Sequence, residues 1–217
     1  MTNWLTVAHI AVLGYWLGAE LVINALYRYV CFDEHLSFAD RDRLMRFLMR
    51  VDQHVRYALV LQVTLGCLLA ITYGWLPGGE SAKLVVVSGG ALWLAFVEWV
   101  HRATRYRDGL ARIDRASRYL LIVVLLALAF GVLGGSWPIP NWLRWKLMAF
   151  AGVVACALGI RLALLTHFGA WHSNDDDDLS DEAMVIVRRT YRRATSILFV
   201  LWLFIAVIVF LSVVRPS

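Results

Sequence analysis

Few residues in this chain are able to do chemistry, and they stand far apart. His9, Glu20, Glu98 and Arg161 fall inside long apolar stretches, with His54, His101 and His167 at the edges of such stretches. An ionisable group within hydrocarbon is costly enough that each is a functional candidate. At about 100° per residue, a helix carries His9, Leu13, Trp16 and Glu20 on one stripe, which is expected to face protein. Leu94, Glu98, His101 and Arg105 form a second such stripe, with carboxylate and imidazole one turn apart. Neutral imidazole is a good axial ligand for haem iron, and histidines on facing helices can clamp a macrocycle between them. Glu20 and Glu98 are candidates for a proton or ion path, or for ion pairs with Arg161 or an opposing helix end.

The elements that position these residues follow from composition. Of 217 residues, 60% are hydrophobic and only 17% charged. The mean hydropathy is +0.65. These values exclude a soluble globule, a disordered chain and a collagen-like fibre. Uninterrupted apolar runs cover 4–27, 55–76, 82–100, 119–137, 142–165 and 196–214, and a bilayer core needs roughly 20 residues per helix. The first run is expected to remain as a helix, because Met1, Thr2 and Asn3 supply no basic segment of the kind that opens a cleaved signal.

Basic residues orient these spans. Of the 21 Lys and Arg, seventeen fall on one side, in the connections 28–54, 101–118 and 166–195 or beside them, and four (Lys83, Arg144, Lys146, Arg215) on the other. Retained basic loops mark the cytoplasmic face. The expected architecture is therefore all-α: a single polytopic bundle of six transmembrane helices in a bacterial-type inner membrane, both termini outside. The net charge of +5 then describes a rim beside anionic headgroups, not a nucleic-acid surface. The pattern Arg50-Val51-Asp52 with Arg56-Tyr57 returns as Arg112-Ile113-Asp114 with Arg118-Tyr119. Trp16-Leu17 with Arg28-Tyr29 likewise returns as Trp93-Leu94 with Arg105-Tyr106, so the chain reads as containing a duplicated helical hairpin.

Depth in the membrane sorts the histidines. His9 lies near the outer surface, His54, His101 and His167 near the inner one. A b-type haem at the inner end would draw on His54, His101 or His167, with Arg56, Arg102 and Arg105 beside the propionates. A haem at the outer end would have His9, with a second ligand that is not histidine or is absent. The plain alternative is that each histidine reaches a headgroup or a carbonyl. Copper has thin support, since only Met148 among the methionines is well inside a span and Cys67 and Cys156 are isolated. Cys31, Cys67 and Cys156 form no CxxC or CxxCH, which argues against zinc knuckles and covalent haem. The acidic run 175–178 lacks the spacing of a calcium loop and reads as a solvated connection. No phosphate-binding loop, GxSxG or HExxH occurs.

Trp4, His9 and Trp16-Leu17-Gly18 resemble the first helix shared by CopD copper-resistance membrane proteins, HemJ-type protoporphyrinogen oxidases and the membrane domain of haem-linked urate oxidases. Lys83 and His101, framing the third run, resemble the Lys and His of the third HemJ-type helix. The likeness covers roughly the first half of the chain; HemJ-type chains are shorter, with four spans as a rule. It implies haem b with His9 and His101 as candidate ligands, and an electron-transfer or oxidoreductase role toward a redox protein or a quinone-like or tetrapyrrole substrate. The CopD branch implies transport of copper or another small cation. A non-catalytic membrane subunit, or a homo-oligomer, is the remaining reading.

Overall fold

The computed structural model describes residues 2–102, 107–172 and 181–215, with the backbone alone at 2, 107–108, 110–111, 165–172 and 181–183. Every regular element among them is an α-helix: α1 (Thr2–Phe32), α2 (Phe38–Thr72), α3 (Gly79–Arg102), α4 (Arg107–Ala129), α5 (Asn141–His172) and α6 (Asp181–Val214). Five of these, all but α4, are long and apolar enough to cross a bilayer. Lipid is the natural solvent for the bundle's outer surface, where Leu84, Leu92, Val123, Phe199 and Val213 are all largely exposed.

Local signals set the helix ends. Ser37 caps α2, its hydroxyl accepting from the Asp40 amide at 3.2 Å and donating to the Asp40 carboxylate at 2.6 Å. The far end of α2 closes on Gly74 at φ 76°, with Trp75 N–H donating to Ala70 O at 2.9 Å. Pro140 stands immediately before α5.

The helices form a closed ring in which each packs on its chain neighbours and α6 returns to α1, with α3–α4 the thinnest seam. Neighbours run antiparallel. His9 and Tyr15 meet Gln62 and His54. Arg161 and Arg144 meet Asp114 and Gly131. Asn24 and Cys31 of α1 meet Thr195 and Arg188 of α6. The ring therefore has a His9 end and an opposite, basic end.

Two cores fill it. One joins Trp16, Ala58, Leu125, Val153, Val154 and Leu201 from five helices, with Trp16 edge-on to Phe150 across the ring. The other, at the basic end, joins Tyr27, Val30, Met45, Leu48, Val187 and Tyr191. Small residues permit the closest approaches: a Cβ on Gly90 would lie 2.4 Å from Thr64 Oγ1, and one on Gly152 2.7 Å from the Phe204 ring.

Three features depart from the apolar runs. α2 and α6 begin well before 55 and 196, because residues 38–54 and 184–195 are amphipathic and bury Met45, Leu48, Val187 and Tyr191 in the basic-end core. Buried Arg41 closes this region by donating to the carbonyls of Val30 and Asp33 and, at 3.2 Å, to Leu36 O, at and just beyond the end of α1. The fourth apolar run, 119–137, is helical only to Ala129. Beyond it the chain turns through Gly131 (φ 73°) and Gly134 (φ 66°) toward Pro138.

Candidate functional site

His9 sits on α1 against α2. Its Nε2 lies 3.1 Å from Gln62 Nε2, and Gly66, one turn along α2 from Gln62, faces the imidazole: a Cβ there would be 3.5 Å from His9 Cε1, an ordinary contact distance. His9 Nδ1 and Gln62 Oε1 are both buried without a hydrogen-bond partner. Such unpaired atoms are uncommon in native proteins and call for an explanation. The charge of Lys146, on α5, reaches the imidazole, and its ammonium donates to Ser212 Oγ of α6 at 2.9 Å.

Glu20, three turns along α1, is buried and accepts from Trp16 Nε1 at 3.2 Å. The charge nearest in effect is that of Asp52 on α2. The stripe drawn from the sequence thus faces protein, as expected, although His9 and Glu20 serve separate neighbourhoods.

The other candidates lie toward the basic end. His54 is exposed, its Nδ1 bonded to Tyr15 OH and its ring edge-on to Tyr15 and Tyr57, with centroids 6.1 and 6.0 Å away. Tyr57 OH donates to Glu98, which also accepts from Arg102 Nε. His101 is exposed at the end of α3. No hydrogen bond or ring contact joins His54 to His101 among the described residues. The side chain of His167, the whole of Arg105 and the acidic run 175–178 lie outside those residues.

Arg56, expected beside a propionate, donates to Asp52 at 3.2 and 3.0 Å. Arg161 pairs with Asp114 at 3.1 Å, so neither glutamate holds it. Among the described residues, no three His, Cys, Asp or Glu side chains converge as a metal-holding group.

Several contributors were not singled out from the sequence. Gln62 carries no charge, so a search for ionisable residues passes over it; its signal is an amide inside an apolar run. Gln53, whose amide donates to Val97 O at 3.2 Å, is similar. Asp114 was visible only as a member of a repeat, and Arg118 as that and as one of the seventeen basic residues on one side. A shallow apolar groove of about 430 Å³ between α2 and α3, with Ile71, Val85 and Trp137 in its wall, holds none of the candidate residues.

No protein-family model, curated protein or solved structure matches the chain.

Proposed function

We propose that this protein is a membrane haem protein that holds a b-type haem through His9 and passes electrons, or oxidises a membrane-accessible substrate, at the His9 end. The observation carrying this reading is the imidazole itself: one ring nitrogen anchored by Gln62 and the other, Nδ1, buried and unspent. Metal-ligating histidines are held in this way, with a second group fixing the ring. Lys146, whose charge reaches the imidazole, is a cation for a propionate on this side of the bundle. Arg56 and Arg102 are already engaged by Asp52 and Glu98, which favours the His9 end over the basic end. When bound, the haem would supply one-electron redox chemistry at a potential tuned by its ligands and burial.

In the same reading α4 crosses as a short sixth span, both termini lie on the His9 side, and the basic end faces the cytoplasm. The duplicated hairpin is supported by matching ion pairs, Asp52–Arg56 and Asp114–Arg118, at equivalent positions.

Reduced-minus-oxidised absorbance of the protein purified after expression with ample haem tests this. A Soret and an α-band are expected, abolished or shifted in His9→Ala and retained in His54→Ala and His101→Ala. Absence of both bands, or an unchanged spectrum in His9→Ala, overturns the reading. A second reading, passage of copper or another small cation, is favoured by Glu20, a buried carboxyl whose hydrogen bond comes from an indole. Uptake into vesicles that is lost in Glu20→Gln would support it, and uptake unchanged by that substitution would refute it.

A further inference from the structure

At the basic end, three guanidinium groups from three helices converge on two carboxylates. Asp114 on α4 is almost wholly buried, with 3% of its side chain exposed, and its Oδ2 accepts from Arg161 of α5 at 3.1 Å. The same oxygen is the only hydrogen-bond partner of Arg118 among the described residues, at 3.5 Å, the long limit of such a bond. Arg56 of α2 is held by Asp52. The three arginines feel one another's charge: Arg161 that of Arg56 and Arg118, and Arg118 that of Arg56.

The charges therefore do not balance. Among the described residues three guanidiniums share two carboxylates in ion pairs, and the least satisfied is the most deeply placed: Arg118 is only 7% exposed. Each guanidinium presents five N–H donors, of which Arg118 and Arg161 use one nitrogen apiece toward the described residues. A buried cation without a full counter-charge is expensive. The group is not sealed, since the side chains of Asp52 and Arg161 are 25% and 21% exposed. An ion from the adjoining water or headgroup layer can reach it.

We infer that Arg56, Arg118 and Arg161 form a receptor for an oxyanion, a carboxylate or phosphate group, at the basic end of the bundle. The forked donors match two oxygens on one centre, and guanidinium is the side chain suited to that geometry. The anion supplies the missing negative charge and ties α2, α4 and α5 together below the Trp16 layer. The site is separate from His9: Glu20, which senses Asp52, is eleven residues along α1 from His9, a rise of about 16 Å. A free oxyanion and an anionic lipid headgroup both provide this chemistry.

The test uses the full chain in phosphatidylcholine nanodiscs and requires no haem. Thermal unfolding, followed by tryptophan fluorescence, is titrated with inorganic phosphate against chloride at matched ionic strength. Native mass spectrometry measures phosphatidylglycerol retained from mixed-lipid discs. Saturable stabilisation by phosphate identifies a free-oxyanion site, and retained phosphatidylglycerol a headgroup site; either supports the proposal when Arg161→Gln weakens it by about tenfold or more. Exposed Arg46→Gln leaves it unchanged. Asp114→Asn, which removes a competing carboxylate, tightens it, an effect a purely structural ion network would not produce. Failure of both probes, binding by Arg161→Gln equal to the parent's, or weaker binding by a folded Asp114→Asn overturns the proposal. If Asp114→Asn does not fold, Arg161→Gln decides alone.

Discussion

The segments around Asp52 and Asp114 carry the same pattern, an Asp followed at four residues by Arg and then Tyr, and both form the local ion pair. Their surroundings make them different interactions. Asp52 has a quarter of its side chain in solvent and a partner at 3.0 Å. Asp114 is buried and shared between its own Arg118 and Arg161 from the next helix. Tyr57 donates to Glu98, whereas Tyr119 is exposed. A repeated sequence thus places one copy at the edge of the bundle and the other against α5, and the tertiary partner, not the local pair, sets what each carboxylate does.

The sharpest way to break this comparison is to neutralise the two carboxylates in turn. Asp114→Asn is expected to destabilise the protein by about 3–5 kcal/mol, because two largely buried guanidiniums lose their counter-charge. Asp52→Asn is expected to cost roughly 1 kcal/mol, since Asp52 itself lies nearer to water, with 25% of its side chain exposed against 3% for Asp114. Unfolding in detergent reads both, and equal losses would show that the two copies are energetically alike. A smaller effect separates the tyrosines: Tyr57→Phe removes a hydrogen bond to a carboxylate and is expected to cost about 1 kcal/mol. Tyr119→Phe is expected to stay within about 0.5 kcal/mol of the parent, and a larger loss there would reveal a contact for its hydroxyl.

Much of this arrangement is legible in the sequence because hydrocarbon is an unforgiving solvent. Four of the six apolar runs lie within helices that are long and apolar enough to span, the run 55–76 extends four residues past the end of such a helix, and the stripe through Trp16 and Glu20 faces protein as its spacing requires. The fourth run misleads because apolar composition does not distinguish a helix from a glycine-rich turn, and Gly131 and Gly134 end α4 early. The connections 28–54 and 166–195 conceal helix in the opposite sense. They are too charged to register as spans, yet Leu44, Met45, Leu48 and Met49, and later Val187 and Tyr191, repeat at helical spacing and supply a second core. Arg41 reads as one more basic-rim residue, but its guanidinium closes on carbonyls at and beyond the end of α1.

The candidate site was half visible. His9 stands out as an imidazole within an apolar run, and depth alone separates it from the other histidines. That Gln62 holds one of its nitrogens, that Gly66 faces its ring and that the charge of Lys146 on α5 reaches it depend on which helices adjoin in the ring. For the basic residues the division is similar. Their crowding at one end follows from residue order, while the sharing of Asp114 by Arg118 and Arg161 requires α4 and α5 to lie side by side.

The sequence by itself determined the solvent, the helical content and the segregation of charge, because each depends on the free energy of placing residues in hydrocarbon or water and is summed locally along the chain. Only the tertiary structure decided which polar groups pair and which are left over. A hydrogen bond or ion pair forms or fails over a few ångströms, and residues far apart in sequence reach that separation only when the ring of helices closes.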